Sequence, residues 1–109
     1  MKLKKGTIKH LQEYTSFKVK ERGFEDETLH ERLLLLTEEL GELVKACRHL
    51  TGMNVDVNKK IKDKAGEEVV DVFNMLFAVA NKLGLDVEEE FTKKEIEIDK
   101  RIYKRSKQK

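Results

Sequence analysis

The sequence predicts an all-α protein, a single four-helix-bundle-like domain. Apolar residues recur at intervals of three and four over long stretches, which is the period of an amphipathic helix. The 109 residues contain no proline, and charged and apolar residues make up 40% and 39% of the chain, a balance that with this period favours helices over disorder. The length suits one domain, with a core over about residues 7–104 and a basic tail at residues 105–109.

The first helix is predicted over residues 7–22. Its apolar positions recur with helical spacing, Thr7 is a candidate N-cap, and Gly23 is a candidate C-terminal stop. The link that follows, residues 24–27, is rich in acidic side chains. Negative charge stabilises a helix N-terminus, so this link is expected to lead directly into the second helix.

The second helix is predicted over residues 28–50 and ends near Gly52. Its expected core stripe has 3-4-3-4-3 spacing and consists of Leu33, Leu36, Leu40, Leu43, Cys47 and Leu50. Because Cys47 is the one cysteine and lies on this stripe, it is expected to be a buried apolar residue. A reducing cytoplasm is the setting that this cysteine usage favours.

The third helix is predicted over residues 57–83, with Asp56 as a candidate N-cap and Gly84 at its end. About half of its circumference is apolar, which is more than one neighbouring helix covers. This excess predicts a homodimer or a homotetramer. Phe24, Phe77 and Phe91 are candidates for the additional burial.

The fourth helix is predicted from a capping box at Asp86 and Glu89 to about Lys104. The basic tail after it is interpreted as a solvated helix end, against the alternative of contact with phosphates or nucleic acid. A net charge of only +2 and the lack of a DNA-binding motif argue against a nucleic-acid partner. No apolar run reaches membrane-spanning length, so no membrane association is expected.

Two pairs of carboxylates carry the functional hypothesis. Glu39 and Glu42 stand three residues apart in the second helix, and Glu68 and Asp71 have the same spacing in the third. Residues i and i+3 share a helix face, so two packed helices would bring four carboxylates together. Such anions repel unless protons or cations neutralise them, and Mg²⁺ prefers oxygen ligands. The opposing interpretation is a solvated face, although the position of both pairs beside apolar stripes favours a paired or metal-bound role.

The sequence around these acids resembles the all-α nucleoside triphosphate pyrophosphohydrolases of MazG type. The family pattern is E-E-x-x-E, a spacer, and E-x-x-D on a second helix. Here Glu38 to Glu42 supply the first half and Glu68 to Asp71 the second, with 25 residues between the halves. The resemblance covers about residues 28–101.

This resemblance implies cleavage of the α–β phosphoanhydride bond of a nucleoside triphosphate to monophosphate and pyrophosphate, with house-cleaning of non-standard nucleotides as one role. It implies Mg²⁺, or Mn²⁺ in its place, bound by the four carboxylates Glu39, Glu42, Glu68 and Asp71. Glu38 is a candidate for assisting water activation, and simple exposure is the alternative. Candidate substrate contacts are Asn74 and Asn81 for base or ribose, and Lys94 and Arg101 for phosphate.

Three alternatives remain open. Phosphoribosyl-ATP pyrophosphohydrolases have a related fold and similar acids, although E-L-G-E-L and E-V-V-D-V match the MazG type more closely. A di-iron bundle needs Glu-x-x-His on two helices, and only Glu27 and His30 fit that spacing. A helical interaction module would carry the acids as surface groups and would show no Mg²⁺-dependent stabilisation.

Overall fold

A computed structural model of the chain describes residues 1–54, 56 and 65–104, and within them it contains four helices and no strand. The helices are α1 (Thr7–Glu21), α2 (Leu29–Leu50), α3 (Ala65–Leu83) and α4 (Val87–Asp99). The predicted all-α class is confirmed. α2 packs mainly against α3, α1 packs against α3, and α4 packs against α1. The predicted first turns of the third helix, residues 57–64, and the basic tail, residues 105–109, lie outside the described residues.

α2 and α3 run antiparallel. Near the start of α2, Arg32 donates a hydrogen bond to the carbonyl of Ala78, near the end of α3, at 2.7 Å. Seven residues further along α2, Glu39 lies beside Glu68 and Asp71, near the start of α3. Advancing along one helix therefore means going back along the other. This register places the carboxylates of both helices at the same level of the pair.

The start of α2 is fixed by a capping box. The Thr28 hydroxyl accepts a hydrogen bond from the Glu31 N–H at 3.1 Å, and the Glu31 carboxylate accepts one from the Thr28 N–H at 3.2 Å. Both groups are local in sequence, so the helix start needs no partner from elsewhere in the chain. Gly23, in the left-handed region at φ +82°, follows the end of α1 as predicted.

The start of α1 differs from the prediction, because Thr7 is not its cap. The N-cap is Gly6, at φ +92°, and it provides no side-chain hydrogen bond. A carboxylate of α4 serves instead: Glu88 Oε1 accepts hydrogen bonds from the N–H groups of Gly6 at 2.9 Å and Lys9 at 3.4 Å. A negative group placed there also complements the helix dipole. This long-range contact ties α4 to α1.

α4 is shorter than predicted, because it ends at Asp99 rather than near Lys104. Its start is confirmed, with the Asp86 carboxylate accepting a hydrogen bond from the Glu89 N–H at 3.1 Å. Beyond the end, Ile102 and Tyr103 are exposed. A helical turn gains most of its stability from packing, and these residues have no surface in the described chain to pack against.

The inward face of α2 is rotated from the predicted one. Its buried residues are Arg32 and Ala46, with Glu39 midway between them and half-buried. Most of the predicted core stripe is exposed, namely Leu33, Leu40, Cys47 and Leu50. The prediction of a buried Cys47 is therefore wrong for the isolated chain. α2 is apolar over more than one face, and its register on α3 turns the face that carries Glu39 inward.

α3 also exposes much of its apolar surface. Its buried apolar residues are Phe77, Ala78 and Ala80, whereas Val69, Phe73, Leu76 and Leu83 are about half exposed. Phe73 packs edge-on against Phe77, with ring centroids 4.8 Å apart. Within the residues that the structure describes, every helix is too short or too polar to traverse a lipid bilayer.

Candidate functional site

Three carboxylates converge where α2 crosses the first turns of α3. One oxygen each from Glu39, Glu68 and Asp71 lies within 4.8 Å of the other two. Their exposure is graded: Glu68 is 1% exposed, Glu39 is half-buried and Asp71 is exposed. The arrangement thus has one side against the protein interior and one side open to solvent. We call these three residues the carboxylate cluster.

The fourth predicted ligand, Glu42, is not part of the cluster. It is half-buried on α2, one turn beyond Glu39, but its oxygens do not lie within the distance that joins the other three. Residues three apart are offset by about 60° around a helix, so the rotation that centres Glu39 on α3 turns Glu42 to the border of the contact. Glu38 lies on the exposed side of α2.

The burial of Glu68 is the most informative property of this cluster. Within the described residues it is the one large side chain with less than 2% of its surface exposed. Burying a carboxylate is costly unless it is paired, hydrogen-bonded or coordinated to a metal. Two further carboxylates within 4.8 Å add to that cost when all three are ionised. A cation bound to the three oxygens would offset this mutual repulsion.

The donor set fits a hard divalent cation. Carboxylate oxygens are the ligands that Mg²⁺ and Mn²⁺ take in proteins, and Mg²⁺ commonly uses only a few of them and completes its shell with water and phosphate. The cluster contains neither histidine nor cysteine, which Zn²⁺ usually takes. Exposed acidic groups also occur together without any ion, and a solvated acidic surface is the alternative interpretation of the cluster.

A cavity of about 370 Å³ lies one helical turn from the cluster. Leu35 in its wall precedes Glu39 by four residues, and Met75 follows Asp71 by four, a rise of about 6 Å in each helix. The remaining wall is mixed aromatic, basic and polar. It consists of Tyr14, Thr15, Lys18, Val19, Arg22, Phe24, Glu27, Asn74 and Ala78. We call this space the α1–α3 cavity.

The sequence did not indicate this cavity, apart from Asn74. Phe24, which the sequence predicts as a candidate for burial between subunits, lines the cavity here together with Tyr14 and the basic residues Lys18 and Arg22. The sequence signal for this cavity was the combination of aromatic and basic residues within residues 14–24. Helical periodicity does not show that these residues lie next to α3.

Asn81 has a structural role in this structure. Its Oδ1 accepts a hydrogen bond from Gln12 Nε2 at 2.8 Å, and its Nδ2 donates to the Gln12 carbonyl at 3.3 Å. Gln12, which is buried, also donates to the Leu85 carbonyl at 2.7 Å and accepts from the Val87 N–H at 2.9 Å. This network joins α1 to the end of α3 and the start of α4. Both polar atoms of Asn81 are engaged in it.

Lys94 and Arg101 are not brought to the carboxylate cluster. Both are exposed, Lys94 on α4 and Arg101 just beyond its end, and both pair with Glu97, at 3.6 and 3.4 Å respectively. α4 packs against α1, whereas the cluster lies between α2 and α3. Their predicted phosphate contacts would require a ligand or a second subunit that extends to α4.

Comparison of the chain with protein-family models, with curated proteins and with solved structures finds no match.

Proposed function

We propose that this protein is a Mg²⁺-dependent nucleoside triphosphate pyrophosphohydrolase, which releases nucleoside monophosphate and pyrophosphate. The observation that carries the proposal is the convergence of Glu39, Glu68 and Asp71 within 4.8 Å, with Glu68 fully buried. The adjoining α1–α3 cavity supports it, because a nucleotide bound there would lie about one helical turn from the carboxylates, within reach of its phosphates.

Glu39, Glu68 and Asp71 would hold the metal, and Glu42 would contribute from the border of the site. Mg²⁺ bound there would supply charge neutralisation on phosphate oxygens and acidify a bound water. The buried position of Glu68 and its helical backbone keep the ligand geometry fixed, whereas Asp71 faces the solvent side from which substrate arrives. Mn²⁺, which prefers similar ligands, would substitute.

The chain's other residues would bind and orient the nucleotide. Tyr14 and Phe24 offer aromatic faces on which a base stacks, and the amide of Asn74 both donates and accepts hydrogen bonds. Lys18 and Arg22 carry the positive charge that phosphates require.

Glu38, exposed beside Glu39, is the candidate base for the attacking water. The oxygen of that water forms a bond to the α- or β-phosphorus as the bridging α–β P–O bond breaks, its proton passes to Glu38, and nucleoside monophosphate and pyrophosphate are released.

We also propose that the functional form is a homodimer or homotetramer. A second copy would cover the apolar residues that α3 exposes, with Phe73 and Leu76 at their centre, and those that α2 exposes, with Leu33 and Leu40 among them. Apolar surface of this extent on two adjacent helices is typical of an interface. The same surface would also serve a helical interaction module without catalytic activity, which is the second candidate function.

The test is a panel of canonical and modified nucleoside triphosphates, assayed with Mg²⁺, with Mn²⁺ and with chelator. We expect metal-dependent release of pyrophosphate together with the matching monophosphate. Release of diphosphate and inorganic phosphate would contradict cleavage at the α–β bond. A lack of turnover across the panel, together with no effect of Mg²⁺ on stability, would favour the interaction module.

A further inference from the structure

Arg32 is a buried cation with few of its donors in use. It is 5% exposed, and its Nη1 donates to the Ala78 carbonyl at 2.7 Å. Its Nε is buried and makes no hydrogen bond to a described residue. Glu27 Oε1 lies 4.0 Å from that Nε, which is an ion pair at long range but not a hydrogen bond. A guanidinium has five N–H donors, and burying its charge is costly unless those donors have acceptors.

A cavity of about 270 Å³ lies against Arg32, between α1 and the end of α3. Lys20 of α1 and Lys82 of α3 also line it, and neither lysine forms an ion pair with a described residue. Glu25 is the one carboxylate in the wall. The cavity wall therefore has three cations and one anion, and its net charge stays positive when Glu27, the ion-pair partner of Arg32, is counted as well.

We propose that this cavity binds one phosphoryl group, either as inorganic phosphate or as the end of a small phosphate monoester. A planar guanidinium and two ammonium groups match the several acceptor oxygens of a phosphoryl group. The volume lies below the roughly 300–1,000 Å³ of pockets for drug-sized ligands, so the ligand is small. The Ser16 hydroxyl, also in the wall, adds a neutral donor.

This site is separate from the carboxylate cluster and does not depend on the proposed hydrolase activity. Arg32 precedes Glu39 by seven residues of α2, a rise of about 10 Å. Its charge is also opposite to that of the cluster. The bound group would contact α1, α2 and α3 together, because Lys20, Arg32 and Lys82 belong to these three helices. Ligand binding at such a junction stabilises the folded chain by mass action.

The test measures phosphate binding by calorimetry and melting temperature in metal-free protein, with chloride at matched ionic strength as the reference. Inorganic phosphate and glycerol phosphate form the two arms. The variants are the double substitution Lys20→Gln and Lys82→Gln, which leaves Arg32 in place, and Arg32→Met, whose folding is checked by circular dichroism because it also removes the partner of Glu27. Lys93→Gln, on exposed α4, removes one positive charge outside the cavity and is the charge-matched control for Arg32→Met.

We expect saturable binding to the native chain, at least a tenfold weaker affinity in the double variant and in Arg32→Met, and an affinity within twofold of native in Lys93→Gln. Binding in both arms identifies the end of a monoester as the ligand, and binding of inorganic phosphate alone identifies the free ion. Glu68→Gln should keep the phosphate affinity. A phosphate effect equal to that of chloride, or an unchanged affinity in the double variant, would overturn the proposal.

Discussion

Replacing Asp71 by asparagine should have opposite effects on the metal-free and the metal-bound protein. Asp71 is the exposed member of the carboxylate cluster, so its substitution changes one charge without opening the interior. Asparagine keeps the size of the side chain. Without metal, the substitution removes repulsion from Glu39 and Glu68. With Mg²⁺, it removes an anionic ligand.

The magnitude follows from the separation of the oxygens. Two unit charges at 4.8 Å, the upper limit of these separations, repel by about 0.9 kcal/mol in a water-like dielectric, and screening at physiological salt reduces this to about 0.5 kcal/mol. With two neighbours, metal-free Asp71→Asn should gain about 1 kcal/mol, or roughly 4 °C or more in melting temperature for a chain of this size. Mg²⁺ at ten times its dissociation constant should add about 1.4 kcal/mol to the native chain.

The assay is a set of melting curves for the native chain, Asp71→Asn and Glu67→Gln, in chelator and in Mg²⁺ at matched ionic strength. Glu67 is an exposed carboxylate on the first turn of α3, one turn before Asp71, and lies outside the cluster. Its substitution should leave the response to Mg²⁺ intact. The stability gained by Asp71→Asn should also shrink as salt is raised. Destabilisation of metal-free Asp71→Asn, or an equal Mg²⁺ response in all three proteins, would refute this reasoning.

The remaining predictions concern the cluster, the fold and the assembly. Glu39→Gln should abolish or severely reduce pyrophosphate release while keeping the native circular dichroism spectrum. Gln12→Ala should lower the free energy of unfolding by about 2–4 kcal/mol in urea titrations, because it leaves several buried polar groups without partners. Thr28→Ala should cost about 1 kcal/mol in the same titrations through loss of the α2 cap. Leu76→Lys should shift sedimentation at micromolar concentration from an oligomer to a monomer, and a native chain that is already monomeric would contradict the proposed assembly.

The helices could be predicted from the sequence because most of their signals are local. Thr28 with Glu31, Asp86 with Glu89, and Gly23 each act within a few residues of the helix end that they define. The start of α1 could not be predicted, since its capping carboxylate belongs to Glu88, 82 residues after Gly6. The end of α4 was predicted near Lys104 instead of Asp99 because the charge pattern and the helical periodicity of the sequence continue beyond the last residues of α4 that pack against the rest of the chain.

Predicting which faces turn inward required tertiary information. α2 has apolar residues around more than half of its surface, so the stripe through Leu33 and Leu40 was as plausible as the face through Arg32 and Glu39. The same rotation explains why three of the four carboxylates meet while Glu42 stays at the border. The α1–α3 cavity was missed because its wall combines residues that are distant in sequence, such as Phe24 and Asn74.

The most direct test of the central claim is the rate of Mg²⁺-dependent pyrophosphate release by two variants at adjacent positions, Glu68→Gln and Glu67→Gln. Glu68 is buried in the cluster, and Glu67 is exposed beside it in the chain. On the preferred nucleotide of the panel, we expect Glu68→Gln to lose activity on the order of 100-fold or more, about 2.7 kcal/mol in activation free energy, and Glu67→Gln to stay within about twofold of the native rate. Native activity in a folded Glu68→Gln protein would contradict the claim that the carboxylate cluster is the catalytic metal site.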